Sequence, residues 1–243
     1  MHVFVKGLTM QFKPNFDLLR EWCDAEHARN FASNTAFVAV FRRDGKTLVY
    51  MCDRHCYNIS FNMVDMCFND GFGIKPDVLL SEIPNAGFEK RFSWHGLQDN
   101  TLAYAAAVAA RRGIPVVFAD LSDDEVVNVI NHGFPDNQIT DKDLSKVFSC
   151  GGPNSKGSLY QQMSFYVDMF GRDRFMLNNI AAALNKYDTV FAIFGIGHYE
   201  AQRLVLEDMM GKPEYITQIK NMRSGFSDMK IQPVKLCDFK FEK

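Results

Sequence analysis

Thr101–Glu125 reads TLAYAAAVAARRGIPVVFADLSDDE. The alanine-rich run predicts a helix from Thr101 to Arg112, with Gly113 as its C-cap. IPVVFAD, Ile114 to Asp120, is a short continuous apolar run and predicts a buried strand. Ser122-Asp-Asp-Glu125 then carries the cap and first turn of a further helix, ending near His132-Gly133. A buried strand set between helices is the pattern of a mostly parallel sheet covered on both faces.

The same alternation extends outward. Upstream, VLLSE (Val78–Glu82) predicts a second buried strand, which Pro84 cuts short. Before it, AFVAVF (Ala36–Phe41) and TLVYMC (Thr47–Cys52) flank RRDGK, and Asp44-Gly45 predicts a tight hairpin turn. A helix is expected from Ser60 to Phe68. Downstream, a helical pattern runs from Leu159 to Lys186, interrupted near Gly171. TVFAIF (Thr189–Phe194) is the last central strand, and a helix follows from Tyr199 to Met210, closed by Gly211. A strand at His2–Val5, a helix at Phe16–Phe31 and an edge strand in the tail MKIQPVKLCDFKF complete the reading. The fold expected is α/β, with a mostly parallel (mixed) central sheet flanked by helices and an N-terminal hairpin. Residues 1–243 form one domain in this reading, and the polar stretch 133–158 is a loop or lid inserted in it.

Composition sets the bounds. The 243 residues are 47% hydrophobic and 23% charged, with a formal net charge of -2. That is an ordinary globular mixture with no basic surplus to point to nucleic acid. No run reaches the roughly 18 apolar residues of a membrane span, and the first residues lack a secretory pattern. The six cysteines are widely spaced and read as reduced thiols of a cytoplasmic protein. Cys52 and Cys56 lie beside His55, but a cysteine-rich zinc site wants a second such pair, and the sequence has none.

The strand ends carry the chemistry. The strand ending at Cys52 leads to Asp53 and His55, VLLSE ends in Glu82, VVFAD in Asp120, and TVFAIF leads to His198. In a parallel sheet these ends share one edge, where ligand crevices form. Histidine exchanges protons near neutral pH, and a carboxylate can orient its imidazole. Two histidines and a carboxylate can equally hold a divalent metal (manganese, cobalt, zinc or iron) that activates water. Both routes stay open. Each residue also has a plainer reading, a capping aspartate or a surface histidine. Gly195-Ile196-Gly197-His198 is no dinucleotide fingerprint, because Glu200 stands where the third glycine belongs. No GxSxG elbow occurs either, and Ser81 reads as a strand residue.

Over residues 36–215 the chain resembles the TraB, TIKI and GumN group, related to the erythromycin esterases and the ChaN-like haem-binding proteins. The ordered pieces are LVYMCDRH ending at His55, VLLSEIP with Glu82, LAYAAAVAARRGIPVVFAD, Arg172-Asp173 in GRDRFMLNNIAAAL, and GIGH ending at His198. Cys52 departs from the glycine usual three residues before the first histidine, and the central helical insertion of many members is short or absent. The resemblance implies a site of His55, Glu82, Arg172 and His198, joined by Asp120. It implies hydrolysis of a peptide, ester or lactone bond in a peptide or small-molecule substrate. His55, Glu82 and His198 would hold a metal in the TIKI manner, or a histidine would act as base in the esterase manner. A haem- or metal-binding module without catalysis, or an interaction protein with a worn site, are the other implied roles.

Overall fold

The computed structural model describes residues 11–20, 37–53, 58–68, 74–84, 101–149 and 158–216. Among the described residues, six strands form one sheet: β1 (Phe37–Arg43), β2 (Lys46–Asp53), β3 (Val78–Pro84), β4 (Val116–Asp120), β5 (Thr189–Gly195) and β6 (Glu214–Ile216). Their order is β4-β3-β5-β2-β1-β6. β4, β3, β5 and β2 run parallel, and β1 pairs antiparallel with both β2 and β6. The expected mixed, mostly parallel sheet with its N-terminal hairpin is therefore present. The hairpin turns on Asp44 and Gly45, both at positive φ (51° and 77°). A two-residue turn of this kind matches the right-handed twist of its strands, and Gly45 adopts it without steric cost.

Seven α-helices are described: α1 (Asn58–Phe68), α2 (Thr101–Arg111), α3 (Asp123–Gly133), α4 (Leu144–Ser149), α5 (Leu159–Val167), α6 (Asp173–Lys186) and α7 (Ile196–Met210). α1 and α2 cover one face, burying Met63, Val64, Leu102, Ala103 and Ala106 against Val49, Met51, Leu79 and Ile193. α6 and α7 cover the other, burying Met176, Leu177, Ile180, Val205 and Leu206 against Tyr50, Leu80, Ala192 and Phe194. Alternate residues of β2, β3 and β5 go to opposite faces, as the period of a strand requires. Both faces are buried, so these strands read as unbroken apolar runs.

The order of crossovers explains the two faces. β2-α1-β3 and β3-α2-β4 step one way across the sheet. The long return from β4 to β5 steps back. Right-handed crossovers in opposite directions put their helices on opposite faces. β3 and β5 are neighbours whose chains then depart to opposite faces, α2 on one and α7 on the other. The crevice between their carboxyl ends is the usual ligand position in an open α/β sheet.

Several local expectations need correction. The chain near Phe16 makes only a short 3₁₀ turn (Phe16–Leu18) and is extended by Leu19, so no helix starts there. Residues 134–149 are not a plain polar loop. They hold a 3₁₀ turn (Asp141–Asp143) and α4, and they bury Ile139, Leu144 and Val147 against α3 and α5. Asn131 fastens the stretch to α3: its Oδ1 accepts from the Ile139 N–H at 2.8 Å and its Nδ2 donates to the Ile139 carbonyl at 3.0 Å. The final helix starts at Ile196 rather than Tyr199, which places His198 in its first turn. β3 extends to Pro84 through a register shift after Ser81. The described edge strand next to β1 is Glu214–Ile216. The expected strand at His2–Val5, residues 21–31 of the expected Phe16–Phe31 helix, the tail MKIQPVKLCDFKF and residues 150–157 lie outside the described residues.

Candidate functional site

The carboxyl edge of the parallel strands brings Glu82, Asp120, Arg172 and His198 together. Glu82 comes from the end of β3, and Asp120 is the last residue of β4, paired in register with Pro84. Arg172 comes from the opposite side, on the helical run that crosses over them. That run is continuous from α5 to α6, but one π-turn, Asp168–Arg172, interrupts it. The Asp173 N–H donates to the Asp168 carbonyl, five residues back, which is the π-type bond. Gly171 belongs to this turn. A Cβ there would lie 3.0 Å from Leu121 Cδ1 and 3.2 Å from Val129 Cγ1, so glycine permits α3 to press against the turn.

Arg172 is the hub. Its Nε donates to Asp120 Oδ1 at 2.9 Å, and its Nη2 to Asp120 Oδ2 at 2.8 Å, a bidentate pair. Nη2 also donates to Glu82 Oε1 at 2.7 Å, and Nη1 to Asp168 Oδ1 at 2.9 Å. Four of the five guanidinium N–H groups are thus committed. Burial opposes the guanidinium's charge, but Asp120 and Glu82 beside it outweigh that and raise its already high pKa. Burial also raises the Asp168 carboxyl above its ordinary value, with Arg172 opposing.

His198 lies behind Glu82 at 2% side-chain exposure. Its Nε2 is 3.2 Å from Glu82 Oε1, and its Nδ1 is 2.8 Å from Asp173 Oδ1. Burial works against the imidazolium, but Glu82 and Asp173 on either side overcome it and push the pKa up to about 10. At neutral pH the ring is therefore charged and donates from both nitrogens. Gln202, one turn on from His198, continues the chain: its Nε2 donates to Asp173 Oδ1 at 2.7 Å, and its Oε1 accepts from the Tyr50 hydroxyl at 3.1 Å. Glu82 is held from a third side, where its Oε2 accepts from the Gly195 N–H at 2.5 Å. This is the close backbone approach for which the Gly195 glycine is suited. Gly195 itself sits at φ -58°, so no left-handed conformation is involved.

His55 lies outside the described residues, as does Cys56. Asp53 is buried at the end of β2, in register with Gly195. By strand alternation it falls on the α1 and α2 face, away from Glu82. Cys52, which stands where the resembling group has glycine, is fully buried in the core, where burial pushes its thiol pKa well up. Cys52 and Cys67 are both free thiols.

In this arrangement a metal would have to displace the protein partners of Glu82 and His198, and His55, the third ligand the resemblance implies, lies outside the described residues. Each nitrogen of His198 faces a carboxylate, and a charged imidazole has no lone pair to give. Glu82 is occupied by a guanidinium, an imidazolium and a backbone N–H. Among the described residues no group of three or more histidines, cysteines or acids is placed to hold a metal ion.

Asp168, Asp173, Gln202 and Tyr50 complete the site, and the strand-end reasoning did not reach them. Two spacings point to part of the set. Asp168 and Arg172, and likewise His198 and Gln202, are four apart and share a helix face. Among the described residues no helix is long and apolar enough to cross a membrane. Compared with protein-family models, with curated proteins and with solved structures, the chain gives no match.

Proposed function

We propose that the cluster is the acid–base site of a hydrolase acting on an ester, lactone or peptide bond. The observation that carries this is the double hold on Glu82 Oε1, with Arg172 Nη2 at 2.7 Å and His198 Nε2 at 3.2 Å. Glu82 stands at the end of β3, and its Oε2 accepts from the N–H of Gly195 at the end of β5, so it bridges the two strands that flank the crevice. His198 stands behind it with its ring fixed by Asp173, and serves as a positioning residue. The resemblance to the TraB, TIKI and GumN group also implies hydrolysis, though through a histidine base or a metal rather than through Glu82 as base.

The chemistry needs one carboxylate used twice. Glu82 takes a proton from water as the water oxygen bonds to the carbonyl carbon. The carbonyl oxygen becomes an oxyanion, met by the fifth N–H of Arg172 and the N-terminal N–H groups of α7. Glu82 then returns the proton to the leaving oxygen or nitrogen as its bond to carbon breaks. Acid and alcohol or amine leave, and Glu82 ends as it began.

The test is turnover of 4-nitrophenyl butyrate, a γ-lactone and a mixed peptide pool by the full chain, with Glu82→Gln beside wild type. The expected result is hydrolysis of one class, falling about 10²- to 10⁴-fold in Glu82→Gln. Turnover no faster than buffer, or equal rates in both proteins, overturns the proposal. A structural reading then takes its place. It is favoured by one feature, the near-complete saturation of Arg172 by carboxylates, which makes the cluster an internal clasp between the sheet and the α5–α6 run.

A further inference from the structure

Tyr50 and Gln202 are both fully buried, amid the apolar layer of β2, α6 and α7. Packing alone asks for neither polar group. The Tyr50 ring meets Phe194 and Tyr199 edge-on, with centroids 5.4 Å and 5.2 Å away, and a phenylalanine would make the same contacts. A methionine would fill the space of Gln202. Each buried polar group carries a desolvation cost that its hydrogen bonds must offset. The hydrogen bonds of these two lead one way, toward His198.

The direction of that chain is fixed from both ends. Burial holds the Tyr50 phenol well above its ordinary pKa, so the hydroxyl keeps its hydrogen and donates it to Gln202 Oε1 at 3.1 Å. On the other side Gln202 Nε2 donates to Asp173 Oδ1 at 2.7 Å and, weakly, to Met176 Sδ at 3.6 Å. A reversed amide would set its oxygen against a carboxylate and a thioether, neither of which has a hydrogen to give. Asp173 Oδ1 therefore receives two donors from one face of α7: Gln202 Nε2 and, one turn earlier, His198 Nδ1 at 2.8 Å. This double grip bears on the angle at which the His198 ring presents Nε2 to Glu82 Oε1, 3.2 Å away.

We infer that Gln202, oriented by Tyr50, is a positioning residue of the site: it holds the Asp173 carboxylate where that carboxylate fixes the His198 ring against Glu82. The inference rests on the hydrolase reading only for its effect on turnover, so the resting protein and the turnover assay test the two separately. The Tyr50 hydroxyl acts through Gln202, because its bond to the amide oxygen polarises the N–H that reaches Asp173. The role needs no contact with substrate and no proton movement along the chain.

The test is a double-mutant cycle in the full chain at neutral pH. Nitrogen-15 shifts of the His198 ring are read through its carbon-bound protons in wild type, Tyr50→Phe, Gln202→Met and the double variant. Both substitutions nearly conserve volume, and unchanged backbone amide shifts away from the site check the fold. Tyr50→Phe is expected to move the Nδ1 resonance more than the Nε2 resonance, and Gln202→Met to move it further. In the Gln202→Met background, Tyr50→Phe is expected to add no movement, because its path to His198 is gone. An unmoved Nδ1 in Tyr50→Phe, or the same movement in both backgrounds, overturns the inference. Tyr50→Phe alone decides it if Gln202→Met does not fold. In the active protein kcat is expected to fall about fivefold in Tyr50→Phe and further in Gln202→Met, with KM unchanged. An unchanged kcat, or a change in KM alone, overturns the positioning role. Coupled shifts without turnover of any ester or peptide remove the hydrolase reading and leave the hold on His198 standing. Turnover that ignores both substitutions, with an unmoved Nδ1, does the reverse.

Discussion

Raising the pH from about 6.5 to about 9 is expected to remove roughly 3 kcal/mol of folding stability through His198 alone. The sign follows from the site. His198 takes up its proton more readily folded than unfolded, since its pKa rises from the ordinary 6.5 to about 10 between Glu82 and Asp173. Stability from such a group is complete below the unfolded value and is lost as the pH climbs toward the folded one. Each unit of displacement corresponds to about 1.4 kcal/mol. The full effect approaches 5 kcal/mol at low pH, of which a little over 1 is left near pH 9. The assay is urea unfolding at half-unit pH steps for wild type and His198→Asn. Other groups, including the buried thiols of Cys52 and Cys67, titrate alike in both proteins, so the difference between the two curves isolates the histidine. A carbon-13 titration of the His198 ring in the native protein supplies the folded pKa independently. A difference that stays level within about 1 kcal/mol over this range, or a ring that titrates near 6.5, refutes the reasoning.

Three further expectations follow from other contacts. Arg172→Met leaves Glu82, Asp120 and Asp168 without their shared cation, and is expected to cost about 3–5 kcal/mol in urea unfolding at neutral pH. A loss under 1 kcal/mol refutes that account of the cluster. Gly171→Ala drives a methyl toward Leu121 and Val129, and should lower stability by about 1–2 kcal/mol despite alanine's better helix propensity. A stabilised Gly171→Ala protein would show that the close approach of α3 is not required. Ser122→Ala removes the capping box in which Ser122 Oγ accepts from the Glu125 N–H and Glu125 returns a bond to the Ser122 N–H. It should cost about 1 kcal/mol, read as a shift of the urea midpoint at unchanged m-value.

Elements that local chemistry decides were legible in the sequence. Asp44-Gly45 could only be a tight turn between those two apolar runs. The Ser122–Glu125 box marked the start of α3 to the residue. VLLSE, VVFAD and TVFAIF were strands because apolar runs so short, bounded by turn residues, have no helical alternative long enough to stand. Their shared edge then gathered Glu82, Asp120 and His198 without further information. Elements decided by distant contacts were not legible. Residues 134–149 look polar, yet three apolar side chains among them find a core against α3 and α5. The π-turn has no signature beyond Gly171, because its extra residue is set by where Arg172 must reach. The role of Arg172 came from the motif order alone, and Asp173 and Tyr50 enter the site only through tertiary hydrogen bonds. The two glycines before His198 read as a loop, but the helix begins at Ile196.

The place of β5 in the sheet has a consequence for synthesis. β5 lies between β2 and β3, and its first residue, Thr189, pairs with Thr47, 142 positions earlier. As the chain leaves the ribosome, β2 and β3 are made early and must wait through α3, α4, α5 and α6 for the strand that joins them. Their facing edges hold unpaired backbone groups and some of the most apolar sequence in the molecule during that interval. The site shares this delay, because Gly195 and His198 follow directly on β5. A nascent chain stopped before Thr189 therefore has an open sheet and lacks Gly195, His198 and Gln202 of the cluster, and is a natural client for a chaperone. Insertion of β5 closes the sheet and brings His198 to Glu82 and Asp173 in one late step.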